Sequence, residues 1–207
     1  MSKTVEFFFD VGSPASYLAW TQLPALCSAA GATLAYRPML LGAVFQATGN
    51  TSPVTVPAKG RHMLLDLARC ASRHGVPLKH NPHFPINTLT LMRAAAGVQL
   101  RQPERFEGLL RAVFTAMWVE ERNLNDAAVA ARVLAEAGFD AAEIVALVAD
   151  ADVKAALRAT TEEAVARGVF GAPTMFVGTE MFFGQDRLDF VRDALAAGVR
   201  TGARTGA

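Results

Sequence analysis

The residues best placed to do chemistry in this chain are two serines, Ser13 and Ser16, where an apolar run gives way to a helical pattern. The run Val5-Glu6-Phe7-Phe8-Phe9 reads as a buried strand, ended by Asp10-Val11-Gly12. Ser13-Pro14 then opens a helix. Proline suits the first helical position because its missing N–H would have no partner there, and serine is a favoured cap. A disulfide-exchanging protein with a C-x-x-C pair at such a junction would carry cysteines at 13 and 16. Serines in both places exclude disulfide chemistry there. As an N-cap, the Ser13 hydroxyl accepts a backbone N–H and keeps its own proton to donate. Donated to the sulfur of a bound thiol, that proton favours the thiolate, and the positive end of the helix acts in the same direction. Ser13 therefore reads both as an ordinary cap and as the activator of a thiol the protein binds.

Four other segments carry residues of interest. Gly168-Val169-Phe170-Gly171-Ala172-Pro173-Thr174 leads into a strand. Pro173 reads either as a trans residue at a strand start or as a cis residue that presents the Ala172 backbone, with Gly168 and Gly171 permitting close approach. Gln185 and Asp186 stand at the start of the last helical pattern. Asp186 is favoured there electrostatically, and the pair could equally hold the ammonium and carboxylate of an amino-acid group. Asn50, in Thr48-Gly49-Asn50-Thr51, is a turn residue or a ligand. Lys59 falls in the first turn of a helix, the unfavourable end for a cation, so it is either solvated or paired with a bound carboxylate. Phe45, Phe84 and Trp118 read as core or as the lining of an aromatic site.

The elements that must position these residues follow from periodicity. A helix runs from 14 with Tyr17, Leu18, Trp20, Leu23 and Leu26 on one face, bent at Pro24 and stopped at Gly31. A second strand covers 33–37, and strand–helix–strand implies a parallel pair. Helices follow near 58–74, 87–98, 103–118, 126–137, 140–148 and 151–167. Strand character returns at 174–178 and 181–183, and a helix over 186–197 closes the pattern. The order is β-α-β, a helical block, then β-β-α, an α/β chain with an all-helical insertion. The expected division is 1–56 with 168–200 as one domain and 57–167 as the insertion, with a disordered tail at 201–207.

Bulk properties narrow the partners. The chain has 207 residues, 52% of them apolar, and a net charge of +1, which offers no electrostatic reason to bind nucleic acid or an anionic membrane. No apolar run is long enough to span a bilayer. Cys27 and Cys70 lie far apart in apolar, helix-like stretches, with no zinc or redox spacing. They read as free buried thiols, and no metal site is expected. Free thiols and the lack of a basic-then-apolar start imply a reducing, cytoplasmic setting.

The segments FDVGSPASYLA, LLGAVFQATGN, PAK, HFPINTL, WVEERNLND, RGVFGAPTMFV and FFGQDRLDFV, in order over residues 5–195, resemble the 2-hydroxychromene-2-carboxylate isomerase family and its relatives, the kappa-class glutathione transferases. The resemblance implies a thioredoxin-like domain with a helical insertion, a homodimer, and glutathione as cofactor. It places the thiol-activating serine at Ser13 and the glutathione contacts at Asn50, Lys59, Ala172 and Pro173, Gln185 and Asp186. It implies cis–trans isomerisation of a ring-opened aromatic catabolite, with transferase or peroxidase activity on another electrophile, or an inactive binding module, as alternatives. The family's pattern leads one to expect a lysine just before the Gly-Asn pair. Here Val44-Phe45-Gln46-Ala47 is uncharged, leaving Arg61, His62 or His83 to supply a cation.

Overall fold

The computed structural model describes residues 3–197, so the expected tail at 201–207 lies outside the described residues. Strand β1 (Lys3–Phe9) is followed by α1 (Pro14–Ala29) and β2 (Ala32–Pro38). Then come α2 (Leu41–Thr48), α3 (Pro57–His74), α4 (Leu89–Arg101), α5 (Phe106–Trp118), α6 (Ala127–Glu136), α7 (Ala141–Ala149) and α8 (Ala151–Ala166). Strands β3 (Thr174–Val177) and β4 (Glu180–Phe183) and helix α9 (Leu188–Ala197) complete it. The four strands form one sheet in the order β2-β1-β3-β4. β1 and β2 are parallel, as the strand–helix–strand pattern requires, while β3 runs antiparallel to both β1 and β4. This is a thioredoxin-like α/β fold with helices inserted between its second and third strands.

Alternation along β1 decides what each face of the sheet meets. Val5, Phe7 and Phe9 point into the large core, which α1, α4, α5 and α9 share. Phe8 points the other way, into a small core with Met39, Val44 of α2, Ala164 of α8, Val169 and Phe176. Glu6 lies on that second face as well, paired with Arg167 at 2.8 Å, and Arg167 in turn covers the Phe176 ring at 3.7 Å. Helix α8, although it ends the helical block, thus packs directly on the sheet.

Two differences from the sequence reading bear on function. Residues 41–48 form a helix, α2, where an apolar stretch and a turn were all that could be read. Its N-cap, Leu40, has no capping side chain, and its only local stop signal is Gly49, in the left-handed conformation at φ 69°. The helix read from residue 103 begins with a 3-10 turn, Pro103–Arg105, before α5, and the last helix likewise begins with a 3-10 turn, Gln185–Arg187. Cys27 is buried and its thiol is pushed up to about 11 by burial, whereas Cys70 is only half-buried. Among the described residues no helix is long and apolar enough to cross a membrane, and no group of His, Cys, Asp or Glu could hold a metal.

Candidate active site

Ser13 caps α1, with Pro14 in the first turn. Its Oγ accepts the Ser16 backbone N–H at 3.1 Å and donates to the Ala172 carbonyl at 3.0 Å. The proton that the sequence leaves spare is therefore engaged, by the residue that precedes Pro173. The Ala172–Pro173 bond is cis. Ser13 is nearly buried, and no acidic residue occupies the first turn of α1. The hydroxyl and the helix N-terminus consequently present a positive local field to whatever lies against them.

The loop opposite is held from several sides. Asn50 Nδ2 donates to the Phe170 carbonyl at 2.8 Å, while its Oδ1 accepts the Thr51 N–H. Phe170 packs on Phe183 with ring centroids 4.5 Å apart. Gly171 is dictated by that contact, because a Cβ there would meet the Phe183 ring at 2.7 Å. The Pro173 carbonyl accepts the Gly184 N–H at 3.0 Å, fixing the turn that leads to Gln185 and Asp186.

Ser13, Asn50, Lys59, Ala172, Gln185 and Asp186 all line one cleft, of about 1310 Å³. Phe45 and Phe84 line it too. Pro173 is buried and is not among its lining residues. Trp118 is not brought to the cleft. It is 1% exposed, its Nε1 donates to the Val11 carbonyl at 2.9 Å, and it supports Phe84 from behind at 5.6 Å. Of the three cations considered as replacements for the missing lysine, His62 reaches the cleft from α3; Arg61 and His83 are not among its lining residues. Gln185 is more constrained than expected: it is buried, and its Nε2 donates to Cys70 Sγ at 3.0 Å. Asp186 is paired with Arg187.

Sequence reasoning missed Asp10. It was visible only as the residue that ends a strand, yet it lies 1% exposed at the floor of the cleft. Oδ1 accepts the Gly12 N–H at 2.9 Å. Oδ2 accepts both the Leu41 N–H and the Thr88 hydroxyl, each at 2.9 Å. Leu41 opens α2, and Thr88 precedes α4 without capping it. One carboxylate thus sits at the N-termini of two helices that lack side-chain caps of their own, where a negative charge is favoured. Burial nevertheless dominates and pushes the Asp10 carboxyl above its ordinary value, against the lowering effect of its three hydrogen bonds.

A helix N-terminus capped by serine, facing the carbonyl before a cis proline, defines a thioredoxin-fold protein without a redox pair. A family model described as a DSBA-like thioredoxin domain matches residues 4–196. The 2-hydroxychromene-2-carboxylate isomerase of Sphingobium xenophagum is 34% identical over 200 residues, covering 94% of this chain and 99% of that one. Glutathione S-transferase kappa 1 of Homo sapiens is 29% identical over 211 residues, covering 94% and 92%. A solved structure of a 2-hydroxychromene-2-carboxylate isomerase matches with a TM-score of 0.83 at 29% identity, covering 95% of this chain and 96% of that one. The chain belongs to the DSBA-like thioredoxin family and, within it, to the group formed by the 2-hydroxychromene-2-carboxylate isomerases and the kappa-class glutathione transferases.

Proposed function

We propose that this protein is a glutathione-dependent cis–trans isomerase of 2-hydroxychromene-2-carboxylate or a related ring-opened aromatic catabolite. The observation that carries the reading is the Ser13 hydroxyl, held at the N-terminus of α1 by Ser16 and aimed across the cleft at Ala172. When bound, glutathione supplies a thiolate that adds reversibly to a conjugated double bond and leaves unchanged, so that the bond can rotate in between. The cleft exceeds the usual 300–1,000 Å³ of a small-molecule site, which leaves room for a tripeptide and a second molecule together.

The chain's own part is binding and polarisation. Ser13 swings its proton from the Ala172 carbonyl to the sulfur, stabilising negative charge where the α1 N-terminus already favours it. The released Ala172 carbonyl becomes an acceptor for a backbone amide of the tripeptide. Lys59, Asn50, Gln185 and Asp186 all line the cleft, and in this reading Lys59 and Asn50 meet the glycine end while Gln185 and Asp186 meet the γ-glutamyl end. Phe45 and Phe84 line the cleft and would receive an aromatic substrate, and His62, which lines it too, is a group able to meet a substrate carboxylate. In this reading the protein works in the cytoplasm as a homodimer, which sedimentation equilibrium would test.

A second reading rests on the uncharged stretch Val44-Phe45-Gln46-Ala47: a kappa-type transferase or peroxidase acting on a neutral electrophile. Turnover of chromene-carboxylate, compared with conjugation of an aryl halide and each measured with and without glutathione, separates the two. For either enzyme, Ser13→Ala is expected to lower kcat/KM by about 10²–10³, the usual cost of one preorganised donor to a developing anion. The acidic limb of the pH–rate profile should also move up by roughly one unit as the bound thiol loses its donor. Calorimetry showing no glutathione binding, with Ser13→Ala indistinguishable from wild type, would leave only a binding module.

A further inference from the structure

Beside the Ser13 cleft lies another cavity, of about 630 Å³, walled by α2, α4 and α8. Its floor is apolar, built from Leu40, Ala43, Leu89, Leu157 and Val165. Thr161 at its base is fully used, since its hydroxyl donates to the Leu157 carbonyl and accepts the Leu40 N–H. Leu40, Ala43 and Leu89 also line the Ser13 cleft, so the two cavities meet along one wall.

Three cations stand around this floor: Arg93 from α4 and Lys154 and Arg158 from α8. Lys154 and Arg158 are four residues apart, hence neighbours on one face of the helix. No side chain of the three makes a hydrogen bond or ion pair with a described residue. Arg93 and Lys154 are half-buried, so their stems lie along the apolar surface while their charges stand unpaired at its edge. The one other arginine on these helices, Arg101 of α4, pairs with Asp150 and Asp152. Among the residues lining this trough the one carboxylate is Glu162.

We propose that the trough binds an organic anion, with its carboxylate or sulfonate held by Arg93, Lys154 and Arg158 and its aryl or alkyl body on Leu40, Leu89, Leu157 and Val165. The apolar floor supplies affinity and the three cations supply the sign of charge. The volume suits a ligand of two fused rings or a medium alkyl chain. The inference does not depend on the chemistry at Ser13, although the shared wall places the bound anion next to that cleft.

The probe is 8-anilinonaphthalene-1-sulfonate, titrated by fluorescence into the full chain, with neutral N-phenyl-1-naphthylamine as its uncharged counterpart. Saturable single-site binding of the sulfonate is expected. Arg93→Met and Arg158→Met should each weaken it at least about fivefold, the loss of one charge-assisted contact. Lys59→Met, in the neighbouring cleft, should leave it within about twofold, the scale of a remote charge in screened solvent. Far-UV circular dichroism establishes that each variant is folded. No saturable binding, equal affinity for the neutral probe, or weakening by Lys59→Met rather than by the trough variants would overturn the proposal. So would a change of oligomeric state in the trough variants with dye affinity intact, since the trough would then be a contact between copies.

Discussion

At the scale of single residues, the position of one proton organises the site. The Ser13 hydroxyl accepts from Ser16 and donates to Ala172, so ligand binding there must exchange one acceptor for another rather than fill an idle donor. Exchange costs little when the new acceptor is an anion, because charge-assisted bonds are roughly twice as strong as neutral ones. Asp10 sets a different balance. Burial raises its carboxyl above the ordinary value of 3.8, while Gly12, Leu41 and Thr88 all donate to it. In Asp10→Asn the best rotamer still turns its NH2 toward the Gly12 N–H, leaving two donors face to face. That should destabilise the protein by about 1–3 kcal/mol despite removing a buried charge. The pH dependence has a definite sign. A carboxyl whose folded value is raised contributes stability that is full below the unfolded value and is lost as pH rises through the folded one. The advantage of wild type over Asp10→Asn should therefore be largest at the acid end and shrink toward neutrality. Urea unfolding of both proteins from mildly acid to neutral pH reads this directly, and a gap that widens with pH would refute it.

At the scale of elements, what could be read from the chain was whatever depends on neighbours in sequence. The cap and the proline that start α1, the glycine stop at Gly31 and the parallel pairing of β1 with β2 all follow from local rules. So does the convergence of Ser13 and Ala172, once the β-α-β and β-β-α halves are recognised as one sheet. Helix α2 escaped because its N-terminus is capped across the fold, by Asp10 and Thr161, and not by Leu40. Asp10 and the displacement of Trp118 behind Phe84 escaped for the same reason: their partners lie far along the chain. Gly171 is the element-level test. A methyl group there meets the Phe183 ring at 2.7 Å, so either the ring leaves Phe170 or the loop carrying Ala172 shifts. A shift of the loop displaces the Ala172 carbonyl from Ser13. Gly171→Ala is expected to raise KM for glutathione several-fold, about what about 1 kcal/mol of lost binding allows, while global stability falls less than for a core truncation. An unchanged KM would show that the Phe183 ring gives way and the loop stays in place.

At the scale of the molecule, the question is whether the inserted helices are a separate body. Helices α4 and α5 join one face of the sheet in the large core, α8 packs on the other face, and the joint with α5 is aromatic. Phe114 of α5 meets Trp20 at 5.2 Å, Tyr17 at 5.9 Å and Phe9 at 6.2 Å, so a helix of the insertion touches both β1 and the helix that Ser13 caps. Polar ties run alongside: Trp118 donates to the Val11 carbonyl, Tyr17 to Pro77 and Gln99 to Tyr36. A body divided in two would unfold in two steps. A body with this joint should unfold in one, with helical circular dichroism and the fluorescence of Trp20 and Trp118 changing together. Phe114→Ala removes the ring at the centre of the joint and is expected to cost about 3–5 kcal/mol, the range for a fully buried phenylalanine. Its second effect is the more informative. With the joint loosened, the two probes should separate, because the helices of the insertion and the sheet no longer share this aromatic contact. Denaturant titrations that stay coincident in Phe114→Ala would mean that the packing of α8 on the sheet, the polar ties and the Asp10–Thr88 contact hold the two parts together without it.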